Sequence, residues 1–293
     1  MSGAGRGYAA AITAYALWGV SPAFWPLLAP ADALESVAHR VAWTLIGMLG
    51  VITVARRWGD LRGLPWRTWA LITAGSVLIG ANWGTYIWAT THGHVVDAAL
   101  GYYGTPLVAV LLAVLVLRER LRPAQWVAIG LAVVAMTVLT VGTGRLPWIT
   151  LVLAVSFGVY GLVKKRVPLD PIPGLTAEGF LLGPLAIVYL VVVQILGVGT
   201  FTGHGVGHAL LLVAAGPVTA VPLLLFAAGA KRLTLATLGV LQYINPTLQF
   251  LFGVFVAGEA MPVSRWVGVS LVWAALVIFT ADALRARERN GSP

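Results

Sequence analysis

LGYYGTPLVAVLLAVLVLRERLRPAQW, residues 100–126, returns later in the chain as LGVLQYINPTLQFLFGVFVAGEAMPVSRW, residues 238–266. Tyr103, Pro106, Leu111, Val114, Val116, Glu119 and Trp126 of the first copy match Tyr243, Pro246, Leu251, Val254, Val256, Glu259 and Trp266 of the second at one constant offset of 140 residues. A long fixed offset within an apolar chain predicts two homologous halves, which in a membrane are a frequent signature of a transporter. Weaker echoes agree: Trp18-Gly19 corresponds to Tyr160-Gly161, and Glu35 and Glu178 occupy equivalent early positions in their spans.

Composition sets the solvent. Of 293 residues, 59% are hydrophobic and only 10% charged, and the mean hydropathy is +0.90, far outside the balance of a soluble domain. The chain reads as an all-α integral membrane protein. Its formal charge of +9 would suggest nucleic acid on a soluble domain, but here the basic residues sit in short loops between apolar runs and act as topology signals. No cysteine is present, which excludes disulfides, thiolate ligands and cysteine nucleophiles. The first apolar run lacks a basic leader and a cleavage pattern, and reads as a retained span.

A spanning helix needs about 20 largely apolar residues. Ten such runs are expected: 7–29, 34–55, 69–90, 95–117, 123–141, 146–163, 177–197, 208–230, 234–257 and 264–284. With the N-terminus in the cytoplasm, sixteen of the 19 Lys and Arg fall inside, leaving only Arg40, Arg145 and Arg265 near the outer face. The charge rule therefore places both termini in the cytoplasm. Five spans per half is odd, so the halves, 1–142 and 143–293, enter the membrane with opposite polarity. Glu119 then lies at a cytoplasmic turn and Glu259 at an external one. Inverted repeats of this kind exchange the conformations of their halves to open alternately to either side.

A proline inside a helix leaves the carbonyl four residues earlier without its partner. Pro106 frees Tyr102, Pro246 frees Gln242, Pro22 frees Trp18 and Pro222 frees Val218. A bilayer tolerates such carbonyls where neighbours or a wet cavity satisfy them. Single prolines are ordinary packing kinks, but the matched pair Pro106 and Pro246 predicts hinges in spans four and nine. Gln242, Asn245 and Gln249, at i, i+3 and i+7, put three amides on one face of a continuous span nine. They suit a polar or zwitterionic solute, or equally well ordinary interhelical bonding.

Asn82 and Tyr86 share a face of span three, with Trp83 and Trp88 nearby, and Tyr15 and Trp18 lie three apart in span one. With Tyr102, Tyr103, Tyr160 and Tyr243 they predict one aromatic-walled pocket with hydroxyl handles. Trp58, Trp66, Trp69, Trp126, Trp148 and Trp266, near span ends, read as interfacial anchors.

The most expensive cluster is Glu35, His39 and Arg40 in span two. Glu35 and His39 share a face, and Arg40 is rotated by about 100° from His39. One reading is proton coupling or gating, because intramembrane ionisable residues face the bundle interior and a His beside a carboxylate titrates near neutral pH. The other is an interfacial feature in which Asp32 and Glu35 start the helix and Arg40 snorkels outward. Glu178 and Asp97 read as complements to helix dipoles, and Glu119 as a solvated charge in a turn. His92, His94, His204 and His208 offer no metal spacing. There is no Walker A sequence, HExxH helix or Gly-x-Ser-x-Gly turn, so no cofactor, metal or catalytic residue is expected.

Ordered motifs across nearly the whole chain carry a family resemblance. AYALWG (14–19), ESVAHRVAWTL (35–45), ANWGTYIWAT (81–90), LGYYGTPL (100–107), LPWITLVLAVSFGVYGLVKK (146–165), GPVTAVPLLLFAAGAKRL (216–233) and LGVLQYINPTLQFLF (238–252) resemble the RarD branch of EamA-type transporters, in the drug/metabolite transporter superfamily. The resemblance implies a ten-helix inverted-repeat carrier in a bacterial inner membrane, with a cavity built from spans one, three, four, six, eight and nine. It suggests Tyr15, Trp18, Asn82, Tyr86, Tyr102, Tyr103, Tyr160, Gln242, Tyr243 and Asn245 as cavity residues. One departure is Thr105, where the branch often has Asn before the span-four proline.

The expected protein is thus a secondary active transporter, moving a small polar or amphipathic metabolite (amino-acid-like, amine or drug-like) outward by alternating access. Proton coupling at Glu35, His39 and Arg40 is one option. Uptake or facilitated diffusion is the alternative within transport, and a non-transporting membrane enzyme or scaffold the alternative from another class. Expected partners are the solute, the lipid bilayer and protons, with no nucleic acid; monomer and dimer are both open.

Overall fold

The computed structural model describes residues 3–117, 123–230, 232–233, 238 and 241–290. Among them the fold is helical, without a strand. The helices are α1 (Gly3–Val20), α2 (Ala33–Val54), α3 (Trp66–Thr91), α4 (Val95–Leu117), α5 (Pro123–Thr143), α6 (Trp148–Arg166), α7 (Pro171–Ile195), α8 (Gly205–Ala230), α9 (Ile244–Leu251) and α10 (Val263–Asn290). Glu119, whose turn was matched with that of Glu259, lies outside the described residues, as does Lys231.

Two of these helices differ from the apolar runs that produce them. The run over 7–29 stops being α-helical at Val20, and continues as two 3-10 turns, Ser21–Ala23 and Trp25–Leu28, each with a proline at its start. Pro22 and Pro26 lack the N–H groups that would extend the α ladder. The continuous span nine expected over 234–257 is broken: Gln242 and Tyr243 form a turn, and α9 starts afresh at Ile244 before passing into a π-helical stretch, Phe252–Val256. Pro246 consequently sits in the first turn of α9, where a missing N–H costs nothing. The helix break in this part of the chain lies at the turn before Pro246, whereas Pro106 is inside α4.

Helices α2, α3, α5, α7, α8 and α10 are long and apolar enough to cross a membrane by length and composition, and Trp148–Lys164 and Ile244–Val256 are shorter apolar helices. Large apolar side chains such as Val77, Val133, Leu185, Val191, Leu210 and Val277 stand exposed along them. Water penalises such a surface, and lipid tails do not.

The helix pairing follows a pattern. α1 packs on α8 and α9, while α6 packs on α3 and α4; α2 lies along α7, α5 along α10, and α4 against α9. Exchanging α1–α5 with α6–α10 maps this set of pairs onto itself. Two of the closest approaches depend on glycine: a Cβ on Gly19 would fall 2.6 Å from Leu248 Cβ on α9, and one on Gly101 would fall 2.7 Å from Leu153 Cβ on α6. Small residues let helix backbones approach where no hydrophobic force drives them together.

Candidate functional site

The aromatic residues that the sequence placed in one pocket form two clusters. The first is centred on Asn82 of α3, which is 1% exposed. Its Nδ2 donates to the Leu153 carbonyl (3.2 Å) and Ser156 Oγ (3.0 Å) of α6, and its Oδ1 accepts the Tyr102 hydroxyl of α4 (3.0 Å). One amide therefore holds three helices in register. Tyr86, one turn beyond Asn82 on α3, meets the Tyr102 ring edge-on at 5.7 Å, and its hydroxyl shares a 2.8 Å hydrogen bond with Ser21 Oγ. From Tyr102 the rings continue through Phe157 (5.8 Å) to Tyr160 (6.0 Å from Phe157), both on α6.

This aromatic file ends on a charge. Tyr160 donates to both Glu178 oxygens (3.2 and 3.1 Å), and Lys164 Nζ lies 2.8 Å from Glu178 Oε1. Glu178 is 3% exposed. Because Pro171 opens α7 two turns earlier than the sequence suggested, Glu178 is an interior residue of the helix and not a complement to its dipole.

The second cluster joins α1, α8 and α9. Tyr15, Trp18 and Phe226 form a triangle of rings 5.8 to 5.9 Å apart, and the Tyr15 hydroxyl donates to the Leu238 carbonyl (3.3 Å). The Trp18 carbonyl freed by Pro22 is satisfied by the Ser21 hydroxyl (2.7 Å) and by Gln249 Nε2 (3.4 Å). Asn245 and Gln249 bond each other at 2.8 Å, whereas Gln242 belongs to the turn, where its carbonyl accepts the Asn245 N–H (3.2 Å). The expected face of three amides is thus reduced to two by the break before Ile244. Ser21, which sequence reading passed over, touches both clusters.

Three predicted residues lie apart. Tyr103 stacks on Tyr243 at 6.4 Å, meets Trp273 of α10 and bonds Thr247 (2.7 Å). Trp88, near the end of α3, stacks with His92 (4.5 Å) and His94 (5.6 Å) and tilts against Trp148 (5.3 Å).

In α2, Asp32 caps the helix by accepting the Glu35 N–H (2.7 Å), as the sequence suggested, and Glu35, His39 and Arg40, which follow, are buried in the protein. Glu35 is 4% exposed and accepts the Thr200 N–H (2.7 Å); His39 Nε2 stands 3.9 Å from Glu35 Oε1, while its Nδ1 accepts the Trp43 indole N–H (3.2 Å). Arg40 does not snorkel. Its guanidinium carbon lies 4.9 Å from the centre of the Trp25 ring and 4.1 Å from that of Trp83.

Glu259, beyond α9, caps α4: its carboxylate accepts the N–H groups of Val95 and Val96 at the start of that helix and lies 3.7 Å from Arg265. Arg265 also forks onto both oxygens of Asp97 at 3.1 Å, so Asp97 is an ion-pair partner as well as a first-turn acid. Burial raises the Glu259 pKa, and the two backbone donors and Arg265 offset this only in part. A separate surface cleft of about 540 Å³ is lined by Arg57, Asp60, Leu64, Val167, Pro168, Leu169 and Asp170. It sits between connecting loops, with Arg57 paired to Asp170 at 2.6 Å. Among the described residues no group of side chains is spaced for a metal ion.

Comparison with known proteins fixes the class. Residues 5–141 match the EamA-like transporter family. Protein RarD of Streptomyces exfoliatus is 51% identical over 280 residues, covering 94% of this chain and 89% of that one; protein RarD of Escherichia coli (strain K12) is 39% identical over 288 residues, covering 97% of each. A crystal structure of another protein, 22% identical, superposes with a TM-score of 0.59 over 97% of this chain and 98% of that one, a likeness of fold alone. The fold and these relatives define a multi-pass membrane transporter and not an enzyme. The chain belongs to the EamA-like transporters, in the RarD branch of the drug/metabolite transporter superfamily.

Proposed function

We propose that the chain is a secondary active carrier of ten spans, built as two inverted five-helix halves, 1–142 and 143–293, with both termini cytoplasmic and the bundle in a bacterial inner membrane. The observation that carries this reading is the helix pairing: the pairs of α1 with α8 and α9, α6 with α3 and α4, α2 with α7, α5 with α10 and α4 with α9 map onto one another when α1–α5 and α6–α10 are exchanged. A bundle with that property has a second, equivalent arrangement available to it, which is what alternating access requires. In this topology the Glu259, Asp97 and Glu35 ties close the outer end, and Tyr160–Glu178–Lys164 ties the inner half. Alternating access breaks one set while the other holds.

The solute is a small polar or amphipathic metabolite carried outward. Asn82, Tyr86, Tyr102 and Tyr160 orient it from one half-bundle interface, and Tyr15, Trp18 and Asn245 from the other. Pro106 and the turn at Gln242–Tyr243 give α4 and α9 the freedom to swing. Glu35 and His39, buried and 3.9 Å apart, supply a proton-coupling pair. Purified protein in liposomes is expected to exchange at least one labelled metabolite by counterflow. Failure across a broad panel, with folded and inserted protein, refutes the carrier, and exchange only in the inward direction under a gradient replaces export by uptake.

A further inference from the structure

Among the described residues Arg40 is a buried cation without a counter-ion. Its side chain lies on α2 among residues that are almost fully covered: Arg40 is 6% exposed, Trp25 2% and Tyr86 3%. A guanidinium keeps its charge in proteins, and burying it unpaired is among the costliest arrangements a membrane bundle can hold. Among the described residues no carboxylate lies within 4 Å of it and its Nε has no hydrogen-bond partner. The acids at the start of the same helix are occupied: Asp32 caps the Glu35 N–H, and Glu35 accepts the Thr200 N–H and faces His39. The rings of Trp25 and Trp83 stabilise the cation, but a π face replaces a counter-ion only in part. Ring contacts also leave the five in-plane N–H donors without acceptors, and that planar fork is what recognises a carboxylate or phosphate.

The surroundings place this fork at one end of the aromatic file. Trp25, one of the two rings against the guanidinium, belongs to the buried cluster that holds Tyr86 and against which Tyr102 packs, and Trp83, the other, adjoins Asn82 in the chain. Glu35 and His39 make no hydrogen bond or ion pair with Arg40, so its role separates from theirs. We infer that Arg40 anchors an anionic group of the transported solute, whose apolar or aromatic body lies along Trp83, Tyr86 and Tyr102. This rests on the carrier reading for access to the site and narrows its substrate class to organic anions, zwitterions with a free carboxylate included.

The test uses the full-length protein in nanodiscs of zwitterionic phosphatidylcholine, which supply no anionic headgroup. Melting is followed with matched probes: benzoate and benzamide, 3-phenylpropionate and 3-phenylpropionamide, hexanoate and hexanamide, and phenyl phosphate and phenol. At least one anion is expected to raise the melting temperature above its neutral partner, with the better of the carboxylate and phosphate arms identifying the headgroup. Arg40→Gln is expected to weaken that anion at least tenfold while leaving the neutral partner unchanged, and Arg40→Lys to keep part of the preference. If no anion outperforms its partner on the unaltered protein, the inference fails whether or not the variants fold. It fails equally if Arg40→Gln keeps the preference, which leaves Arg40 as packing between two indoles. Counterflow separates the two readings: anion binding without exchange sinks the carrier and spares the site, and exchange of neutral or cationic solutes unaffected by Arg40→Gln does the reverse.

Discussion

Asn82 uses both ends of its amide on neighbouring helices, and that makes it the residue on which the Asn82–Tyr102 cluster turns. Asn82→Ala strands the Tyr102 hydroxyl and removes two donations to α6. A buried polar group left unsatisfied costs about 1–3 kcal/mol, and the variant is expected to lose that much stability in detergent melting. Counterflow is expected to fall at least tenfold, since Tyr102 loses its orientation. A melting temperature within a degree of the parent shows that the amide is not holding the helices. Glu35 poses a separate question. Glu35→Gln keeps one acceptor for the Thr200 N–H but cannot cycle a proton with His39, so gradient-driven transport should lose its pH dependence while exchange without a gradient survives. An unchanged pH profile makes the pair structural. Sequence spacing put Glu35 and His39 on one face of α2, but it could not reveal that Thr200, 165 residues away, closes over the carboxylate.

At the scale of the element, Glu259 ties the segment after α9 to α4 through the free N–H groups of a helix start. Glu259→Leu removes the cap and is expected to cost about 1 kcal/mol, the usual value of such a side chain. Glu259→Gln isolates the charge. Burial raises this carboxyl's pKa in the folded protein, so the folded state binds the proton more tightly than the unfolded chain. Its contribution is full below the ordinary glutamate range and is lost as pH rises through the raised value. The melting temperature of Glu259→Gln relative to the parent should therefore climb across that window, and a flat difference contradicts the assignment. The same element shows how repeat symmetry is used unequally. Pro106 and Pro246 match in sequence, yet one is inside a helix and the other starts one, because the chain before Ile244 turns and the chain before Pro106 does not.

For the whole molecule, the paired halves make a topological prediction that the absence of cysteine makes easy to check. A single cysteine replacing Gly144, between α5 and α6, is expected to react with a membrane-impermeant maleimide added to intact cells. One replacing Gly63, between α2 and α3, should react only after permeabilisation. The reverse pattern inverts the proposed orientation. The apolar runs, the repeat and the family motifs were legible in the sequence because hydropathy, periodicity and local motifs are properties of short stretches. The early end of α1, at Val20 within the run expected over 7–29, was not read from the sequence, although Pro22 and Pro26 are its physical cause. The composition of the site was only half legible. Helical spacing shows which residues share a face, but not which neighbour that face meets, and that depends on helix rotation and close approach at places such as Gly19 and Gly101. The sequence by itself therefore determined a helical membrane transporter and named most of its aromatic residues. Only the tertiary structure decided that those residues form two clusters with Tyr103, Tyr243 and Trp88 apart, that Tyr160 and Lys164 hold Glu178, and that Arg40 stands between two indoles with no acid beside it among the described residues. Those pairings join residues far apart in the chain, and packing alone brings them together.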